Sequence, residues 1–337
     1  MDQKEPSFVL FNNCKVVKGA HRGAIYDLER RDIHFAPNGL CDILIEYNKS
    51  TISHVKKDFD PSQWNVIDEY FRFLTKHDII MFVDQAIVNN FTDMSGSFIT
   101  PRVISNCLIE AGINTNWEVI LSELEKVGCQ NLQVRLIEEL EIADLDNLKN
   151  IWNNSHITSI QLVAKNAAVV TAEYWQNFLS EQKRINYLVV YEAQDYQSFS
   201  HETTGARVIY SKLNYKELLV STVDFQNFSV NISSFLEAQK ANLFYNKKLV
   251  INATGNIVKN LDNSKSYGVL GQCDLNEVFT TTDYMSFWKI GKDLIEGCRN
   301  CEMRYCCFDP REPMFENSAN NYRYSSGCIC LSKQAQS

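Results

Sequence analysis

The sequence predicts an α/β protein of two or three domains, and three observations carry that prediction. From Pro101 onward, strand-like runs at Val103–Leu108, Leu132–Ile137, Ile157–Val163 and Tyr187–Tyr191 recur at intervals of about 27 residues with amphipathic helical stretches between them. Ahead of them, residues 7–83 alternate apolar and polar positions in short strands and then turn helical. At the other end, six of the eleven cysteines fall within the 33 residues from Cys298 to Cys330.

Taken in order, Phe8–Phe11 and Lys15–Val17 read as short strands. Arg22–Leu28 and Asp32–Ala36 alternate on either side of the charged turn Glu29-Arg30-Arg31. Asn38 can cap a helix through Ile43, Leu44 and Ile45. Pro61 opens another, with Trp64, Ile67, Tyr70, Phe71 and Leu74 on one stripe, and Asp78–Val83 returns as a strand. This module spans residues 1–84, and the Asn-, Asp-, Ser- and Gly-rich stretch 85–100 reads as a linker. From 101 to 239 the strand runs, with helices near Trp117–Val127, Asp144–Asn153 and Ala172–Gln182, predict right-handed parallel βαβ units. Further strands at Ala206–Ser211 and Phe228–Ile232 extend the array into either a partial barrel or an open doubly wound sheet. The last segment, 240–337, begins with a hairpin whose turn is Ala253-Thr254-Gly255-Asn256, passes Gly268, Gly271 and Cys273, has a helix near Asp283–Ile290, and ends in the cysteines.

A formal charge of -8 with no basic run excludes nucleic acid as the main partner. No apolar run reaches membrane-spanning length, and with no apolar signal segment at Met1–Glu5 the expectation is a cytoplasmic protein with reduced thiols and no membrane partner. The six histidines are scattered, and no Gly-rich phosphate loop is present. The acidic run Glu138–Asp144 fits a helix N-terminal turn, where negative charge is favoured. The loop Glu192–Thr204, with Asp195, Tyr196, His201 and Glu202, sits at a strand end where it could touch a peptide.

The cysteine segment is the chemical centre of the chain. Cys298-x-x-Cys301 turns two thiols toward one point, a third follows at Cys307, and Cys328 can return as a fourth, with Cys330, Cys306 and Cys273 as alternates. Four thiolates suit zinc or a cubane iron-sulfur cluster, and the spacing alone does not choose between them. Cys107 and Cys129 lie at strand positions and read as small buried hydrophobes.

Two family resemblances follow from these residues. The strands around Tyr26-Asp27-Leu28-Glu29-Arg30-Arg31, followed by helices, resemble the PqqD-type peptide recognition element, a winged-helix-like module. The resemblance implies that a precursor leader peptide adds a strand beside Ile25–Leu28 or its neighbour Ile33–Phe35 and lies against the helix face Trp64–Leu74. Ile25, Tyr26, Leu28, Trp64, Ile67 and Phe71 are the expected peptide-binding residues. The stretch 240–330, with a hairpin, a lone cysteine after glycines and then Cys298, Cys301, Arg304, Cys307, Asp309 and Arg311 in C-x-x-C-x-x-R-x(2)-C-x-D-x-R order, resembles a SPASM domain. That family keeps an auxiliary cluster here, which turns the expectation toward one 4Fe-4S cluster on Cys298, Cys301, Cys307 and Cys328, with zinc as the alternative.

A SPASM extension normally follows a barrel whose first strand ends in C-x-x-x-C-x-x-C, the ligands of the cluster that cleaves S-adenosylmethionine. Here the residues beyond Leu108 are Ile109-Glu110-Ala111-Gly112-Ile113-Asn114-Thr115-Asn116, with no cysteine, so S-adenosylmethionine is not an expected cofactor. The whole arrangement resembles the grasp-with-spasm peptide maturases: a winged-helix-like recognition module, a degenerate radical-SAM-like partial (βα) barrel and a C-terminal Cys-rich SPASM domain. The resemblance implies maturation of a ribosomally made peptide together with an ATP-grasp peptide ligase. The alternative is a peptide-modifying oxidoreductase with a non-standard active site on the retained βα scaffold. The sequence does not decide whether the protein is itself catalytic.

Overall fold

In the computed structural model, which describes residues 5–92, 96, 98–219, 228–262, 265–281, 283–317, 319–325 and 328, the N-terminal alternation becomes five strands. Strand β1 (Ser7–Leu10) pairs antiparallel with β5 (Ile80–Val83), closing the module on itself. Strands β2 (Cys14–Lys18), β3 (Gly23–Asp27) and β4 (Asp32–Ala36) form an antiparallel meander with β3 in the centre. The turn between β3 and β4 is built by the Asp27 carboxylate, which accepts from the backbone N–H of Glu29 and Arg30 and pairs with the Arg30 guanidinium at 3.0 Å.

Three helices follow. In α1 (Asn38–Glu46) the cap position is Pro37 rather than Asn38, whose side-chain amide instead donates to the Gly19 carbonyl. Helix α2 (Ile52–Lys57) is capped by the Thr51 hydroxyl. Helix α3 (Trp64–Lys76) is entered through a 3-10 turn, Pro61–Gln63, capped by Asp60, and it buries Ile67, Phe71 and Leu74 on one stripe. Ile25 faces these helices in a core with Leu40, Ile43, Leu44, Ile67, Phe71 and Leu74.

The expected strand and helix repeats form a second sheet. Strands β6 (Asn106–Ala111), β7 (Asn131–Leu136), β8 (Ser159–Lys165) and β9 (Ile185–Tyr191) are parallel neighbours in chain order, joined by α4 (Trp117–Lys126), α5 (Ile142–Asn153) and α6 (Ala172–Glu181). Adding each strand on the same side through right-handed crossovers keeps the helices on one face, so the doubly wound alternative does not apply. Beyond β9 the helix is replaced by a short strand, β10 (Gln197–Ser200), antiparallel to β11 (Arg207–Tyr210), which itself runs parallel to β9. Helix α7 (Tyr215–Leu219) follows.

Several sequence expectations are corrected here. The first strand of this sheet lies three residues later than expected because Ser105 and Asn106 bond through their N–H groups to the Lys247 carbonyl, and the apolar run 107–109 follows. Phe228–Ile232 is no strand: Phe228 makes a single bridge to Cys307, and Asn231 caps α8 (Ile232–Ala238). The hairpin is present as β12 (Lys248–Ile251) and β13 (Ile257–Val258), but β12 also pairs in parallel with β6 and so joins the large sheet. Its order is β10-β11-β9-β8-β7-β6-β12-β13. Beyond it lies an unforeseen helix, α9 (Leu275–Thr280), whereas Asp283–Ile290 holds only a 3-10 turn at Tyr284–Phe287. The tail ends in the short hairpin β14 (Met314–Glu316) and β15 (Asn321–Arg323).

These pairings divide the chain into two units that differ from the domains expected at 1–84, 101–239 and 240–337. One unit comprises 1–99, 223–244 and 287–337; the other comprises 100–222 and 245–286. The physical reason in the first unit is the outer face of the small sheet. Ala24, Tyr26 and Leu28 pack against Phe235, Cys301, Met303 and Cys306, and the Tyr26 hydroxyl donates to the Glu302 carbonyl at 2.5 Å. Among the described residues no helix is long and apolar enough to cross a membrane.

Replacing Tyr26 with Phe removes the donor from the Glu302 carbonyl inside a buried contact and is expected to cost about 1–3 kcal/mol. Urea unfolding of the full chain should show a lower midpoint at unchanged slope; an unmoved midpoint would mean that this hydroxyl contributes nothing.

Candidate metal centre

The cysteine segment has little regular structure of its own. Gly297 takes φ +77°, a left-handed backbone that favours glycine, and leads into a single 3-10 turn at Cys298–Asn300. The turn closes with the Cys301 N–H on the Cys298 carbonyl at 2.9 Å, which aligns the two thiols of the C-x-x-C pair. The Met303 N–H points at the Cys301 sulfur at 3.3 Å, a contact that suits a thiolate better than a thiol. Arg304 fastens the turn by donating to the carbonyls of Lys18 and Cys301.

Four of the cysteines expected from the sequence, Cys298, Cys301, Cys307 and Cys328, line one recess of the first unit. Phe228 and Met303 contribute apolar wall, and Lys292, Arg304 and Asp309 contribute charge. Among the described residues, no three His, Cys, Asp or Glu side chains converge as a site for a single metal ion.

The alternates fare differently. Cys306 is fully buried away from the recess, with its thiol near the Tyr26 hydroxyl at 3.5 Å and the Met303 carbonyl at 3.3 Å. Cys273 belongs to the other unit, beside Gly268. Cys330 lies outside the described residues.

Burial raises the thiol of Cys298 to about 11 and that of Cys301 to about 12, and raises that of Cys307 as well. The positive charge of Lys292 opposes the shift at Cys298 and Cys307. Lys292 itself is almost wholly buried, lies 3.4 Å from an Asp309 oxygen and donates to the Tyr324 hydroxyl at 2.5 Å. Asp309 is also held by Arg311 through both oxygens, at 2.9 and 2.6 Å. Burial alone would raise its pKa, but the Arg311 hydrogen bonds and the Lys292 charge hold it below the usual carboxylate value. Arg304, Asp309 and Arg311 are visible in the sequence motif. Lys292 and Tyr324 are not, because neither spacing nor residue type sets a buried lysine apart from a solvated one.

The expected peptide-binding residues are distributed otherwise than the sequence suggests. Strand β3 is central in its sheet, so Ile25, Tyr26 and Leu28 are core side chains and cannot border an added strand. Ile67 and Phe71 are likewise core, and of the named helix residues Trp64 is the exposed one. The edge strands of this sheet are β2 and β4, and β4 is the second option read from the sequence. Its His34 packs on Phe73 and His77 of α3, and Phe35 stays 41% exposed under the Arg22 guanidinium. Elsewhere, Glu141 and Asp144 of the acidic run form the capping box of α5, as the helix-turn reading expects. His201 in the loop 192–204 is buried and held by Thr204 and the Gln176 carbonyl, which gives it a structural role.

With thiols raised this far, the metal-free protein should react with iodoacetamide at Cys298 and Cys301 at rates that keep climbing through pH 10. Peptide mapping of the alkylated sites checks this; a plateau near the ordinary thiol value of about 8.5 would contradict the burial described here.

No family model matches the chain, and no curated protein matches it. Five chains of solved structures do. One is the crystal structure of Streptococcus suis SuiB, at 12% identity and a TM-score of 0.38, with 94% of this chain and 99% of that chain covered.

Proposed function

We propose that this protein takes part in maturing a ribosomally made peptide, with one 4Fe-4S cluster held by Cys298, Cys301, Cys307 and Cys328, and that it works beside an ATP-grasp peptide ligase. The observation that carries the reading is the recess itself: four cysteines line one space, and a buried lysine faces it. Zinc draws four sulfurs to about 2.3 Å from one point, whereas a cubane gives each sulfur its own iron and accepts wider spacing. The Cys298, Cys301, Arg304, Cys307, Asp309 and Arg311 order, which resembles a SPASM segment, favours the cluster over zinc. With all four positions filled by thiolate, such a cluster supplies electron transfer or structural support. The chain's own residues orient it: the Met303 N–H and the Arg304 clamp hold the Cys301 turn, and the apolar walls exclude water.

In this reading the first unit is the winged-helix-like recognition module joined to the SPASM-type segment, and the large sheet is the partial barrel. The leader peptide would add to the edge of β4, which has no strand partner on that side among the described residues, with Phe73 of α3 packed on its His34. Main-chain hydrogen bonds would give affinity, and the side chains of Ile33 and Phe35 would set register.

A specific observation favours a second reading, in which the protein also acts as an enzyme. The helix-covered face of the large sheet is apolar, but the opposite face carries Gln133 and Gln161 and, toward the carboxyl ends of the parallel strands, where α/β enzymes place their sites, Glu110, Arg135 and Lys165. The Tyr215 hydroxyl donates to Glu110 at 2.6 Å, and the buried Nε of Arg135 has no hydrogen-bond partner. A scaffold used only for support has no need of such a face.

Anaerobic purification of the full chain should yield bound iron and acid-labile sulfide. Cys301→Ser should lose most of both, and Cys306→Ala should keep them; stoichiometric zinc in place of iron would remove the cluster from this proposal. Titration with the precursor peptide encoded nearby should be saturable and weakened about tenfold or more by Phe35→Asp, a change on an exposed edge that leaves the fold intact. Equal binding by that variant would remove the β4 edge. Incubation with S-adenosylmethionine and dithionite is expected to release no 5'-deoxyadenosine, and its release would favour the second reading.

A further inference from the structure

Lys292 is only 3% exposed, a placement that lysine avoids unless its charge is compensated. Its nearest carboxylate is Asp309, at 3.4 Å, and Asp309 is 1% exposed and already gives Oδ1 and Oδ2 to Arg311. Lys292 thus shares a carboxylate that is committed elsewhere. Its remaining contacts are the Tyr324 hydroxyl, at 2.5 Å, and the face of the same ring, at 4.6 Å, neither of which carries a full negative charge. On its open side it borders the recess with Cys298, Cys301, Cys307 and Cys328. While those thiols are protonated the recess offers no counter-charge beyond that shared carboxylate. Once they are thiolates on a metal centre it offers several.

We propose that Lys292 is a positioning residue for the metal centre: its ammonium, fixed by Tyr324 and Asp309, supplies the counter-charge to the thiolate-bound cluster and thereby raises the cluster's reduction potential. The inference rests on the iron-sulfur reading above. On reduction one electron enters the cluster from the reductant, no bond is made or broken, and the whole added charge is negative. A fixed cation in a dry recess stabilises the reduced form more than the oxidised form, so the potential rises with the cation present and falls without it. The geometry also separates Lys292 from the cations nearby. Arg311 is bound bidentately to Asp309, and Arg304, which also lines the recess, is paired with Asp293 at 3.1 Å and donates to the Lys18 and Cys301 carbonyls.

The test is a spectroelectrochemical titration with dithionite on the anaerobically loaded full chain, comparing the unaltered protein with Lys292→Gln and Lys292→Arg. The Gln variant can still donate to Tyr324 but carries no charge, and its reduction equilibrium is expected to fall about tenfold, which is 59 mV for a one-electron couple. The Arg variant should stay near the unaltered value. A Gln variant with full iron content and an unchanged midpoint would overturn the inference. Should the Gln variant fail to load, loading restored by Arg supports a charge role, and failure of both variants assigns Lys292 to shape alone and overturns it. An unaltered protein without iron would instead overturn the reading on which the inference rests.

Discussion

The outer face of β3 holds the cysteine segment in place, and the geometry of the recess depends on that contact. Residues 298–311 contain one 3-10 turn and no longer regular element, so they cannot set the positions of their own thiols. The small sheet sets them. Ala24, Tyr26 and Leu28 supply the apolar bed, Tyr26 and Ala20 bond to the backbone at Glu302 and Asn300, and the Arg22–Glu302 pair closes the rim at 2.8 Å. Most of these are contacts to backbone, and a backbone held in this way keeps its shape without a bound ion. Residues that look in the sequence like parts of a recognition module and of a separate cluster domain pack in one unit, and two of the residues first expected to meet a peptide, Tyr26 and Leu28, instead support the cysteines.

The large sheet illustrates how one period-2 pattern serves two ends. Along β7 the residues Leu132, Val134 and Leu136 are buried, while Asn131, Gln133 and Arg135 are half-buried on the opposite face. Trp117, Trp152 and Trp175 from α4, α5 and α6 are buried in the same unit, and the first two meet edge to face at 5.7 Å. Burying one side under helices satisfies the hydrophobic requirement and leaves the other side free to carry polar groups. That division of labour is what makes a chemical role for the sheet physically reasonable.

Much of this was legible from spacing. The 27-residue recurrence gave the parallel strands because a strand, a crossover helix and two turns need about that length, and the C-x-x-C motif with Cys307 and Cys328 named four cysteines that line one recess. What the sequence concealed was non-local. That β12 pairs with β6 depends on Leu249 and Cys107 meeting across the sheet, and no local pattern records a partner so far away. Ile25 and Tyr26 alternate as an edge or a central strand would, so their burial on both faces could not be told from their order. Lys292 was hidden for the opposite reason: in composition it is one more charged residue, and its meaning comes entirely from what surrounds it.

The distance along the chain between the two halves of the first unit has a consequence for how the protein is made. Tyr26 and its acceptor at Glu302 are 276 positions apart. At ribosomal speeds of about 5–20 residues per second, roughly 14 to 55 s pass between their syntheses. Until then Ala24, Tyr26 and Leu28 lack the Cys301, Met303 and Cys306 side chains that cover them, so this contact can form only once synthesis has passed residue 306.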